Sequence, residues 1–234
     1  MSASQHGNGN NRDMVVSFLI IRRAVGILGI ALPIVLALGI RLIDCCPPIR
    51  ESISSYYYTV MGNYFTGTLC AVALFLFTYR GPSHVDQVVT NIASVFALGT
   101  ALFPTNSDHL CNKCNILWKD DSPFSNTAHY LFAAAFFVTL ACISLFLFPK
   151  LDPGKSFTPQ KHQRNILYRA FGIIMFVVLA LILSMQYKPI GDALSPYRAE
   201  FWFEAIALGA FGFSWLIKGK TLLKDKWFKS LILK

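Results

Sequence analysis

Thr127-Ala-His-Tyr-Leu-Phe-Ala-Ala-Ala-Phe-Phe-Val-Thr-Leu-Ala-Cys-Ile-Ser-Leu-Phe-Leu-Phe148 carries no Asp, Glu, Lys or Arg. About 20 apolar residues in helical form cross the hydrocarbon core of a bilayer. Backbone groups in lipid must be satisfied within their own segment, so such a run is a helix and not a strand. Five further apolar runs flank it, the first interrupted by Arg41 near its end and the last carrying Glu204. They are Ala24 to Ile43, Met61 to Tyr79, Val88 to Pro104, Phe171 to Tyr187 and Phe201 to Ile217. The third, fifth and sixth spans in chain order are short and imply little tilt or some use of flanking residues. Pro33 is expected to kink the first helix.

Six such runs in 234 residues leave no room for a separate soluble domain. Composition agrees: 54% of residues are hydrophobic and only 14% are charged, where a soluble domain carries about 25%. The fold class is therefore all-α, a polytopic transmembrane bundle of six helices. Residues 1–13 read as a polar, disordered N-terminus, 14–217 as the transmembrane domain and 218–234 as a basic tail. Met14 to Ile21 is apolar and ends at Arg22-Arg23, so it is an extension of helix one or a short interfacial segment. No signal peptide is expected, because the basic pair follows an apolar stretch and no cleavage site follows helix one.

The spans divide the charges. The side holding both termini carries 15 Lys and Arg against 6 on the other, and 4 acids against 8, so it is +11 and the other −2. Loops this short obey the positive-inside rule, which puts both termini in the cytoplasm and the protein in the inner or plasma membrane. A surplus of +9 in a nucleic-acid binder would form a stripe or patch; sorted by side of a bilayer, it predicts lipids as partners and no nucleic acid. Lys218, Lys220, Lys224, Lys226 and Lys229 interleave with Leu222, Leu223, Trp227 and Phe228. That tail is either a helix on anionic lipid or a solvated stop-transfer segment. Ser83 with Asp86 reads as a capping box. Ser195-Pro196 reads as the N-cap and first-turn proline of the last span.

Six cysteines divide by place. Cys70 and Cys142 fall inside spans and read as small packing residues. Cys45, Cys46, Cys111 and Cys114 fall in the first two outer loops, on the oxidising side, and read as disulfide candidates with three pairings open. The vicinal pair is strained, which favours links between the loops. Two other chemistries compete. Cys111-Asn-Lys-Cys114 is a CxxC pair, as in membrane thiol oxidases that pass electrons to quinone. His109-Leu-Cys111 with Cys114 has the spacing of half a zinc site, which is too little to predict a metal.

Polar groups at depth are the candidate site, because burying them in a membrane is expensive. Counted at about 1.5 Å per residue, Glu204, His129, Asn63 and Arg41 all fall in the outer third. Glu200 sits one turn above Glu204 on the same face, and Tyr56, Tyr57 and Tyr58 fall at an outer aromatic belt. Only Asn91 is in the inner half, so the continuous polar path a channel needs is missing. Each group also has a plain structural reading. Arg41 can snorkel, Glu200 can be a solvated first-turn acid, Asn63 can join helices and His129 can be a satisfied interfacial histidine. Glu204, flanked by Phe203, Ile206 and Leu208, needs a partner or a proton. His129, Glu204, Glu200, Asn63, Tyr57 and Arg41 are the candidate ligand-binding residues. No nucleotide-binding or hydrolase motif is present, and no cofactor is expected.

Four short words resemble a family. Glu51-Ser-Ile-Ser-Ser-Tyr-Tyr-Tyr-Thr59 precedes helix two and Ala101-Leu-Phe-Pro104 ends helix three. His129-Tyr-Leu-Phe-Ala-Ala-Ala-Phe-Phe137 opens helix four and Arg164-Asn-Ile-Leu-Tyr-Arg169 precedes helix five. Together they resemble an uncharacterised family of bacterial membrane proteins. That family is distantly similar to the six-pass group of damage-regulated autophagy modulators and GPI-anchor-remodelling proteins. The shared feature is a histidine opening helix four, followed by small residues and Phe. The resemblance implies six helices and lipid-linked or trafficking roles, marks His129, and gives no reaction. The function expected is a membrane protein that binds a lipid or small amphiphile at an outer-leaflet polar site. Its alternatives are a thiol–quinone oxidoreductase, a lipid-modifying enzyme using His129 and Glu204, and a small transporter.

Overall fold

The computed structural model describes residues 3–43, 49–105, 122–151, 158–219 and 222. Seven α-helices account for most of them: α1 (Ala3–Leu42), α2 (Gly62–Thr78), α3 (His84–Leu102), α4 (Pro123–Cys142), α5 (Pro159–Ser184), α6 (Lys188–Leu194) and α7 (Ala199–Lys218). Five of them are long and apolar enough to cross a membrane, counting α1 from Leu19 and α4 through Leu147, while α2 is an apolar helix of 17 residues. This is the make-up of a multi-pass membrane protein. The apolar groups are distributed accordingly, with Ile34, Leu74, Val95, Leu131, Val177 and Ile206 exposed on the outside. A water-soluble protein would bury them.

The helices form a closed ring. α1 packs on α2, α2 on α3, α3 on α4, α4 on α5 and α5 on α7, and α7 closes back onto α1. α6 is a short connector outside the ring. Chain ends alternate, so one end gathers the starts of α2, α4 and α7, with Glu51, Glu200 and Glu204; it is called the glutamate end below. The other holds Arg22, Arg23, Lys150, Lys161 and Lys218 and is called the basic end. Close approach of α1 and α7 depends on Gly26 and Gly212, since a Cβ on either would lie within 2.7 Å of the other's carbonyl oxygen.

Helix boundaries differ from the apolar runs in a regular way. α1 begins at residue 3 and passes through Arg22-Arg23 unbroken, taking in residues expected to form a polar tail; Met14 to Ile21 is an extension of the helix. α5 begins at Pro159, with Lys161 N–H donating to Thr158 Oγ1 at 3.2 Å. Arg164 to Arg169, expected in a loop, is therefore its first part. Hydropathy marks only what lies in hydrocarbon, whereas a capped helix continues into the headgroup layer. The capping box is present: Asp86 N–H donates to Ser83 Oγ, and Ser83 N–H to Asp86 Oδ2 at 3.0 Å. Ser195-Pro196 does not open the last span. Ser195 follows α6, residues Ser195–Tyr197 form one 3-10 turn, and α7 starts after Arg198. Cys70 and Cys142 are free thiols. The disulfide candidates Cys45, Cys46, Cys111 and Cys114 lie outside the described residues, and no disulfide is present among the described ones. Of the basic tail, Lys218 ends α7, Gly219 caps it and Leu222 is described, while the remaining residues lie outside the described ones.

Candidate functional site

Pro104 is the origin of the site. It cannot continue a helix, so α3 stops at Leu102, two residues before it. The three successive carbonyls just past the helix accept side-chain bonds. His129 Nδ1 lies 2.7 Å from Phe103 O, Ser125 Oγ donates to Pro104 O at 2.9 Å, and Tyr58 Oη donates to Thr105 O at 2.8 Å. Ser125 and His129 are four residues apart on α4 and so share a face. A carbonyl oxygen only accepts, so Nδ1 of His129 carries a proton. Its other nitrogen, Nε2, lies 2.8 Å from Ser54 Oγ and accepts from that hydroxyl when the ring is neutral. His129 is only 2% exposed, so both ring nitrogens are satisfied inside the protein.

Ser54 begins a 3-10 turn, Ser54–Tyr58, that lies across the glutamate end. Its neighbouring serines are engaged with each other: Ser52 Oγ and Ser55 Oγ are 2.8 Å apart, and Ser55 N–H donates to Ser52 Oγ. Ser54 alone of the three bonds His129. The strand of chain before the turn is docked on α7. Phe201 N–H donates to Glu51 O at 3.0 Å, Ile53 N–H donates to Glu204 Oε2 at 2.5 Å, and Arg198 pairs with the Glu51 carboxylate at 3.3 Å. Tyr56 is buried against Phe201, with ring centroids 6.1 Å apart, and its phenol oxygen accepts from Arg50 N–H at 3.4 Å. Burial pushes the Tyr56 phenol up to about 12, opposed by the Arg50 backbone bond and positive charge, so it stays neutral and can fill this place.

Consecutive residues Ile53 and Ser54 thus join the two sequence-predicted groups, one bonding Glu204 and the next His129. A small, partly open cavity lies beside them, about 30 Å³, room for a water molecule or two. Its polar walls are Ser54, Thr100 and Glu204; most of the rest is apolar, including Leu32, Phe65, Leu69, Phe136 and Leu208. His129 is not part of the wall. It is linked to the wall through its bond to Ser54.

The other expected residues divide. Glu200 is half-buried one turn from Glu204, and Tyr57 is half-buried edge-on to Tyr58, with centroids 5.2 Å apart. Asn63 and Arg41 are exposed and stand outside the cluster. Asn63 lies in the first turn of α2 on its outward face, and Arg41 lies in the last turn of α1 with its side chain exposed. Ser54 is the residue that sequence reasoning missed. Its one signal is position, inside the Glu51–Thr59 word that carries the family resemblance. Among the described residues, no group of three or more His, Cys, Asp or Glu side chains could hold a metal ion. Comparison with protein-family models, with curated proteins and with solved structures finds no match to this chain.

Proposed function

We propose that this cell-membrane protein, with both termini in the cytoplasm, binds the polar end of a lipid or small amphiphile at its glutamate end, from the outer leaflet. One observation carries the reading: the Glu204 carboxylate opens on a cavity that is otherwise mostly apolar. Among the described residues its only hydrogen bond is the one from Ile53 N–H, which leaves the other carboxyl oxygen to accept from, or share a proton with, a bound hydroxyl or amine. The cavity is too small for an acyl chain. It suits a polar terminus, while the chains stay against the apolar outer faces of the helices. The likeness to the six-pass group with lipid-linked roles belongs to the same proposal, with His129 as the matching histidine.

Native mass spectrometry of gently solubilised protein tests it. Wild type is expected to carry a bound lipid or amphiphile, and Glu204→Gln to lose it while keeping its fold and yield. Wild type that flies without any lipid, or a Glu204→Gln variant that keeps its ligand unchanged, overturns the reading.

A further inference from the structure

Resting on that reading of the site, we propose that Ser54 and His129 are a nucleophile–base pair that transfers an acyl group from a lipid ester. The geometry has the three parts such a pair needs. Ser54 Oγ is 2.8 Å from His129 Nε2, within reach for direct proton transfer. Phe103 O, 2.7 Å from Nδ1, accepts the Nδ1 proton, which fixes the tautomer with the basic nitrogen toward the serine and holds the ring plane. Ser54 lines the cavity with Glu204, and His129, outside the lining, bonds it. An ester carbonyl held at the open side of this cavity, with its chain outside, would meet a residue whose hydroxyl already has its base within hydrogen-bond reach.

The step balances without any further reagent. Ser54 Oγ bonds to the acyl carbon as its proton passes to His129 Nε2. The ester C–O bond breaks, and the leaving alkoxide takes that proton from Nε2, giving a free alcohol and an acyl-Ser54 ester. Water, or a second alcohol, then attacks the acyl carbon while His129 accepts its proton. That proton returns to Ser54 Oγ as the acyl product leaves, a carboxylic acid if water attacked and a new ester if an alcohol did. Glu204 is a positioning residue here, accepting from a hydroxyl or amine of the head group.

Ser52 and Ser55 separate this arrangement from a generic serine-rich turn. Each is satisfied by the other, and only Ser54 is aimed at a base. A purely structural histidine would equally cap α3 through Phe103, but that role does not need a hydroxyl between its second nitrogen and a cavity.

The test is a fluorophosphonate probe on the full-length protein in membranes, with peptide mapping of the labelled residue. The phosphonyl group forms its bond to an activated serine oxygen and fluoride leaves, so no natural substrate is needed. The label is expected on Ser54, absent in Ser54→Ala, and slowed about 100-fold or more in His129→Gln, with Ser184→Ala unchanged. Mapping on wild type gives an answer even if a variant fails to fold. A label at any other residue, or no label on wild type that carries bound lipid, overturns the proposal and leaves the binding reading standing. Ser54→Ala should keep the lipid that Glu204→Gln loses. Labelled Ser54 in protein without lipid would instead sink the binding reading and with it the lipid ester as acyl donor, leaving the Ser54–His129 pair as an activated serine. If wild type shows neither lipid nor label, both are wrong.

Discussion

Arg198 is the only non-glycine residue at positive φ among the described residues, with φ 53° and ψ 40°. A side chain in that region costs on the order of 1–2 kcal/mol. The position turns the chain from α6 into α7 and sets Phe201 N–H on Glu51 O, so the strain sits at the site's foundation. The Arg198–Glu51 ion pair offsets little of it, since Glu51 is half in solvent and exposed pairs contribute about 0.2–1 kcal/mol. Arg198→Gly should therefore melt within a few degrees of wild type, relieved of strain but without the pair. Arg198→Val, β-branched in the left-handed region, should melt well below both. Thermal unfolding in detergent measures the order, and Val equal to Gly would show that the turn is not strained. The same scale explains what could be read from sequence. Glu204 and His129 announce themselves because ionisable groups among apolar neighbours are expensive. Ser54 does not, because a hydroxyl costs little to bury and serines are common in turns. Asn63 and Arg41 misled for a related reason: depth along a helix says how far from the surface a residue lies, and nothing about which way it faces.

The elements are held together where side chains are smallest. Gly26 and Gly212 bring α1 and α7 into backbone contact, as small residues do between helices in a membrane. A methyl group on Gly212 would lie 2.6 Å from Gly26 O and 2.5 Å from Ile30. Gly212→Ala should thus force the two helices apart at about 1–3 kcal/mol. Gly209→Ala, with nothing within 4 Å of its Cβ position, should be neutral, or slightly stabilising through better helix propensity. Equal melting temperatures for the two variants would refute the close contact. Hydrophobic periodicity could not have found this pair, since glycine carries no apolar signal. Apolar runs did mark the six ring helices, five of them long and apolar enough to cross a membrane. Where they stopped short, at α5 and at the start of α1, polar and charged residues continue helices beyond the apolar runs. Ser195-Pro196 misled because a serine before a proline suits a 3-10 turn as well as a helix start.

At the scale of the whole molecule the charge asymmetry has a structural cause. α2, α4 and α7 all end at the basic end, where helices expose carbonyls and a partial negative charge. Cations meet them there. Phe148 O, past the π-turn that closes α4, accepts from Lys161 Nζ at 3.0 Å and from Lys218 Nζ at 3.4 Å, and Gly219 O accepts from Arg23 Nε at 3.3 Å. Lys218 and Arg22 also lie over the rings of Phe148 and Tyr79, each at 5.3 Å. Lys161, Lys218 and Arg23 thus close helices at the basic end, so replacing them by acids would cost stability. A direct topological test turns on α2, whose 17 residues span about 25 Å at 1.5 Å each, slightly less than a bilayer core of about 30 Å. A reporter active only outside the cell, fused after Arg80, after Ser122 and after Lys234, should signal only at Ser122 if all six helices cross and both termini are cytoplasmic. If α2 instead lies within the bundle without crossing, the signal moves to Arg80 and Lys234 and Ser122 falls silent. That result would place the two ends of the ring on the wrong sides of the membrane and remove the outer-leaflet address of the Glu204 site.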